Sequence, residues 1–142
     1  VVIAGGSFYI LDLNGKKEFK CPEKTAEDYI LIDKSSNRLY LFEGRALVKE
    51  YQVSTGREPE LTPEGTFRIV TRFVNPGGLF GSRWLGLNVS EHEDGLKYGI
   101  HGTDEPDKIG EHVSGGCIRM TNEHVEELYE RVPEGMLVYI CK

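Results

Sequence analysis

The stretch Tyr98-Gly99-Ile100-His101-Gly102-Thr103 is followed, after ten mixed residues, by Ser114-Gly115-Gly116-Cys117-Ile118-Arg119-Met120. Two glycines directly before a cysteine are unusual around a packing residue. Glycine permits positive φ and close approach of a ligand to the backbone. It also lets successive N–H groups point into one small space, as an oxyanion hole requires. A thiol placed there can attack a carbonyl whose oxygen is received by the N–H groups of Gly116 and Cys117, each such donor lowering the barrier by about 3 kcal/mol. A free thiol has a pKa of about 8.5, so a nucleophile working near neutrality needs a base or a cation beside it. His101, at the end of an extended run and followed by Gly102, is the best candidate. Its second ring nitrogen needs a fixed acceptor to set the tautomer, and a backbone carbonyl serves. From the residues alone this is a Cys/His pair with a glycine-built anion pocket. The competing reading is a buried structural cysteine beside a tight turn.

Outward from this stretch, most segments read as strands. Phe8 to Leu13, Asn14-Gly15 and Lys16 to Lys20 form a hairpin signal. Tyr29 to Asp33 and Arg38 to Phe42 predict a second hairpin, Ala46 to Ser54 a third strand, and Thr55 to Gly65, with two prolines and two glycines, a loop. Thr66 to Val74, Arg83 to Val89, Tyr98 to Gly102 and Met136 to Cys141 complete the strands, and a short helical turn follows Pro106. One helix is clear. Val125, Leu128, Tyr129 and Val132 make one apolar stripe, Thr121 or Asn122 caps it, and Pro133 and Gly135 end it. The expected architecture is mainly β with one main α-helix near the C-terminus. Residues 1–27 form an N-terminal hairpin or extension, and residues 28–142 form the body.

The 142 residues suffice for one domain with a real core. The net charge of −6, with lysines and arginines dispersed, argues against nucleic acid, whose phosphates need clustered cations. No run approaches the ~20 apolar residues of a membrane span. Val1-Val2-Ile3-Ala4 is either the stub of a removed signal or anchor segment or a first strand, the strand being the safer reading. Of Cys21, Cys117 and Cys141, the first and last could bridge the two ends and leave Cys117 free; the alternative is three free thiols.

The string His101-Gly102-Thr103, Ile109-Gly110, Val113 to Met120 resembles the signature of the L,D-transpeptidase catalytic domain. Cys117 lies sixteen residues after His101, a spacing that fits. Tyr40-Leu41-Phe42, Val53-Ser54-Thr55-Gly56, Thr62 to Phe67 and Arg83 to Leu87 are also similar to that family. The resemblance covers roughly Asp28 to Ile140. It implies a β-sandwich-like fold and a two-step reaction. The thiolate attacks the L,D peptide bond before the terminal D-alanine of a peptidoglycan stem tetrapeptide. D-Alanine leaves, and the amine of a neighbouring stem then takes the acyl group to give a 3→3 cross-link that supports cell shape.

The resemblance places the nucleophile at Cys117, the base at His101, the orienting carbonyl at Gly102 and the oxyanion donors on the Gly115-Gly116-Cys117 backbone. Ser114 shapes the loop, and Arg119 either braces the pocket or pairs with a substrate carboxylate. No metal or organic cofactor is implied. The expected partners are peptidoglycan stem peptides, the expected protein is a monomer of the cell envelope outside the cytoplasm, with a membrane anchor, if any, beyond this chain, and carbapenems are expected to acylate Cys117. Hydrolysis at the same site, an L,D-carboxypeptidase, is the alternative activity; a non-catalytic peptidoglycan-binding module is another.

One departure from the pattern matters: Gly115 stands where members often have His. His112 could replace it but reads more simply as a solvated loop residue. His92 reads as a polar surface turn and His124 as structural. Trp84 and Tyr98 could line a substrate groove, although aromatics at strand positions are more often core.

Overall fold

The computed structural model describes residues 27–142, together with the backbone of three earlier strands. These are β1 (Val2–Ala4), β2 (Ser7–Leu11) and β3 (Lys17–Lys20), which pair antiparallel in a small sheet of their own. The hairpin expected around Asn14-Gly15 pairs Leu11 with Lys17, and its turn lies outside the described residues.

The main body contains β4 (Tyr29–Asp33), β5 (Arg38–Glu43), β6 (Ala46–Gln52), β7 (Thr55–Gly56), β8 (Gly65–Val74), β9 (Arg83–Leu87), β10 (Tyr98–His101), β11 (His112–Ser114), β12 (Ile118–Arg119), helix α1 (Asn122–Arg131) and β13 (Leu137–Cys141). Eight strands form one sheet in the order β12-β10-β9-β8-β13-β4-β5-β6. Strand β13 lies inside it, parallel to β4 and antiparallel to β8. It is buried along its whole length, which explains its unbroken apolar run.

Alternation along the strands separates two faces. Ile30, Ile32, Leu39, Leu41, Ile69, Leu85, Leu87, Ile100, Ile118, Val138 and Ile140 face one core, and each is at most 1% exposed. Tyr29, Leu137 and Tyr139 pack on the opposite face with Leu31 and Phe42. Because one core takes residues from both ends of the strand order, the sheet curls around it. The curl is stitched shut where Ser54, just past β6, exchanges two backbone hydrogen bonds with Arg119 of β12, at 2.9 and 3.0 Å. Helix α1 fills the inside of the curl, burying Val125 and Leu128 against β9 and β10, with Val132 just beyond its end. Thr121 is the cap, its Oγ1 accepting from the His124 N–H at 3.2 Å.

The mainly-β expectation holds, with the layers supplied by a single curled sheet. Two boundaries move. The strand expected through Ser54 stops at Gln52, because Val53 N–H turns to Asn37 O (2.9 Å) and Ser54 crosses to Arg119. The expected loop of Thr55 to Gly65 contains β7, paired in parallel with β11, and a 3₁₀ turn at Pro59–Leu61. A two-residue strand has no periodicity to read; its partner creates it.

Removing the helix's core contact should cost far more than removing its cap. Leu128→Ala is expected to lower unfolding free energy by about 2–5 kcal/mol. Thr121→Ala should lower it by about 1 kcal/mol. Denaturant titration of the two variants checks the difference.

Candidate active site

The β10–β12 ladder assembles the site. Ile100 opposes Ile118 and both face the core, so His101 and its partner Arg119 point to the other face. Cys117 comes one residue before Ile118, in the bend that leads into β12, and lies against the start of β10, beside the Lys97 carbonyl and the Gly99 backbone.

His101 is 1% exposed. Its Nδ1 lies 2.6 Å from the carbonyl oxygen of Gly102. A carbonyl only accepts, so Nδ1 carries the proton and Nε2 holds the lone pair. Trp84, its cross-strand partner, stacks on the imidazole with centroids 5.5 Å apart, and Phe80 meets it edge-on at 5.2 Å. Trp84 is fixed in turn by its Nε1 donating to Gly95 O at 2.9 Å. Gly99 allows this layer, because a Cβ there would lie 2.8 Å from the indole. Burial in this aromatic cage pulls the imidazole pKa down to about 4; the Gly102 carbonyl opposes the shift and the Arg119 charge adds to it.

The Gly102 carbonyl is itself positioned. Gly102 N–H donates to Arg83 O at 3.2 Å, and Asn122 Oδ1 accepts from Thr103 N–H at 3.1 Å and Ser82 N–H at 3.2 Å. A Cβ on Gly81 or Gly102 would collide with that same oxygen. Asn122 was read only as a helix start; its second task has no local sequence signal, because its partners are 40 and 19 residues away.

Cys117 is partly buried and free, with Sγ donating to Lys97 O at 3.4 Å. Burial pushes its thiol pKa up, against the opposing effects of Gly99 and Arg119. The preceding loop is wound on Ser114, whose Oγ donates to Cys117 O at 2.6 Å and accepts from Gly116 N–H at 3.0 Å. The Gly116 N–H, expected to face a substrate oxygen, is therefore turned onto Ser114. Neither the Gly115 nor the Cys117 N–H is taken by a loop or side-chain hydrogen bond among the described residues. Thr62 Oγ1 donates to Gly116 O at 3.0 Å and accepts from Gly56 N–H at 2.9 Å. Gly115 is exposed, with no atom within 4 Å of where a Cβ would sit.

Arg119 lies beside both groups, its guanidinium 3.8 Å from Glu105. Tyr98 is half-buried, with its ring against Gly116. Trp84 is core and groove at once: 5% exposed, it also lines a cleft of about 260 Å³ with Phe73, Pro76, Phe80 and Leu96. His112 is not part of the site. It pairs with Thr55 Oγ1 at 3.1 Å and lines a separate cleft of about 440 Å³. His124 is exposed against Tyr51. His92 lies nearer than expected, 3.3 Å from the ammonium of Lys97, the residue whose carbonyl receives the thiol.

The model of the L,D-transpeptidase catalytic domain (YkuD) matches residues 27–140. This chain belongs to the L,D-transpeptidase catalytic-domain family. A Bacillus licheniformis relative named as the L,D-transpeptidase YkuD is 46% identical over 111 residues, covering 78% of this chain and 64% of that protein. YqjB of Bacillus subtilis, also carrying an L,D-transpeptidase name, is 36% identical over 126 residues, covering 80% of this chain and 71% of its own length. Among solved structures, the catalytic domain of the Enterococcus faecium L,D-transpeptidase superposes with a TM-score of 0.65 at 20% identity, covering 82% of this chain and 98% of that one. L,D-transpeptidase 3 of Mycobacterium tuberculosis, in complex with a faropenem-derived adduct, gives 0.66 at 17% identity, covering 82% and 60%. These likenesses establish the transpeptidase fold, and the chain spans just under two-thirds of the Bacillus licheniformis protein.

The buried imidazole should titrate by NMR near pH 4, against about 6.5 for an exposed histidine. Its folded pKa lies below the unfolded one, so the unfolded chain takes up the proton first. The stability contribution is intact above about pH 6.5 and is lost as pH falls toward 4. Gly115→His should be accommodated in open space, changing unfolding free energy by less than about 0.5 kcal/mol in a denaturant titration.

Proposed function

We propose that this domain is a peptidoglycan L,D-transpeptidase working through a Cys117 acyl-enzyme and forming 3→3 cross-links. The observation that carries the reading is the single available tautomer of His101. With Nδ1–H committed to Gly102 O, the Nε2 lone pair is the only basic position of the ring, and β12, which pairs with His101's strand, begins directly after Cys117.

Near neutral pH both groups rest uncharged, the imidazole because its pKa is about 4 and the thiol because burial raises its own. The proton therefore moves during attack. As Sγ adds to the carbonyl before the terminal D-alanine, His101 Nε2 takes the thiol proton. The developing oxyanion is received by the Cys117 N–H, with Gly115 N–H as the second candidate donor. The C–N bond breaks, His101 returns the proton to the leaving D-alanine amine, and a thioester remains. The amine of a second stem, deprotonated by the same imidazole, then attacks the thioester carbonyl, the C–S bond breaks, and His101 returns the proton to the departing Cys117 thiolate. Arg119 supplies positive charge beside the thiol, which favours the thiolate-like transition state. Exposed Gly115 leaves the mouth open on that side. The disulfide-bonded state of Cys141 suits an oxidising compartment outside the cytoplasm, where peptidoglycan is; its expected partner Cys21 lies outside the described residues.

The test is mass spectrometry of products from purified disaccharide-tetrapeptide. A cross-linked dimer lacking one D-alanine, absent with Cys117→Ala, is expected. His101→Gln should lower the rate by about 10²- to 10⁴-fold. Tripeptide monomer as the sole product would assign the domain as a carboxypeptidase. An active Cys117→Ala protein would end this mechanism.

A further inference from the structure

Lys34 is a buried cation that the reaction above leaves unused. It is 6% exposed, and its three ammonium donors meet three acceptors: Pro59 O at 2.7 Å, Thr62 O at 2.8 Å and the Glu64 carboxylate at 3.1 Å. Its own N–H donates to Cys141 O at 2.8 Å, which roots it beside β13, inside the sheet. The side chain reaches from there to gather residues 59–64, a segment outside the main sheet.

The other side of that segment touches the nucleophile loop. Leu61 O packs so closely against Gly116 that a Cβ there would lie 2.5 Å from it, and Gly116 adopts a φ of 138°. Thr62, 1% exposed, donates through Oγ1 to Gly116 O at 3.0 Å. The Gly116 carbonyl and the Cys117 N–H belong to one planar trans peptide, so they point in opposite directions. A hydroxyl that holds the carbonyl inward therefore aims the Cys117 N–H outward, toward a substrate oxygen.

A buried ammonium costs several kcal/mol of desolvation, and an apolar side chain often pins a loop at least as well. What the ammonium adds is direction: carbonyls on both sides of Leu61 are drawn to one point. We infer that Lys34 is a positioning residue for acyl transfer, which through Thr62 fixes the orientation of the Gly116–Cys117 peptide and so of the Cys117 N–H. The inference rests on the acyl-enzyme reading above.

Two reactions at one thiol separate this role from general support of the fold. Alkylation by iodoacetamide displaces iodide from a saturated carbon, and no oxyanion forms. Acylation by a carbapenem adds Sγ to the lactam carbonyl, opens the C–N bond and leaves the thiol proton on the ring nitrogen. Only the second reaction needs the aimed N–H. Both rates are read by mass spectrometry on the intact chain, for wild type, Lys34→Met, Thr62→Val and the double variant. Lys34→Met and Thr62→Val should each slow acylation by about 10- to 100-fold, with alkylation within twofold of wild type. The double variant should be no slower than the slower single variant, because both act on one peptide.

Equal losses in the two reactions, unchanged acylation, or multiplying losses in the double variant would overturn the inference. If Lys34→Met does not fold, as judged by circular dichroism, Lys34→Gln takes its place; it keeps a neutral donor and is expected to show a smaller split in the same direction. A wild-type protein that is alkylated but never acylated would remove the acyl-enzyme reading itself, and the role of Lys34 with it.

Discussion

Two hydrogen bonds between Ser54 and Arg119 hold the functional end of the molecule together. They join the segment leaving one edge of the curled sheet to the strand at the other edge. Strand β12 is two residues long and could not persist on local pairing alone. It is ordered because Arg119 is held by Ser54 on one side while β10 pairs on the other, with Met120 N–H returning to His101 O at 2.9 Å. Ser54 is tied again through Oγ to Lys108 O at 2.8 Å. Cys117 comes two residues before Arg119, so its place at the start of β10, against Lys97 O, follows from closure of the sheet.

Electrostatics at this seam favour a neutral resting pair. The imidazole sits under Trp84 and Phe80, a desolvated environment that penalises its charged form and outweighs the opposite effect of Gly102 O. The thiol is similarly desolvated. An ion pair held at rest would be partly quenched before substrate arrived. In the proposed mechanism, a neutral pair with a fixed tautomer keeps its proton transfer for the step at which carbon–sulfur bonding drives it. The nearby charge of Arg119 disfavours the imidazolium and favours the thiolate.

Much of this was legible in the chain. The period-two runs of β4 and β5 and the stripe Val125, Leu128, Tyr129 and Val132 mark strands and helix directly, because burial of one face imposes those spacings. The glycines around Cys117 signalled a shaped backbone, and His101-Gly102 contained both the proposed base and the carbonyl that sets its tautomer. The donor set was less legible. Two adjacent glycines say that N–H groups can converge but not which one points outward, and Ser114 claims that of Gly116. Asn122, Thr62 and Lys34 were invisible as contributors, since each acts on residues distant in the chain.

By itself the sequence determined the reactive groups at hand: a thiol directly after two glycines and an imidazole directly before one, in a domain whose alternating strands and one amphipathic helix could pack a single core. Those are local facts, encoded by residue type and by spacings of two and of three to four. Only the tertiary structure decided orientation. It aligned Ile100 with Ile118 and His101 with Arg119, pressed Trp84 onto the imidazole, and turned the Gly116 carbonyl inward to Thr62. Each of these depends on strands brought into register by closure of the sheet, and register between distant segments is set by packing of the whole face.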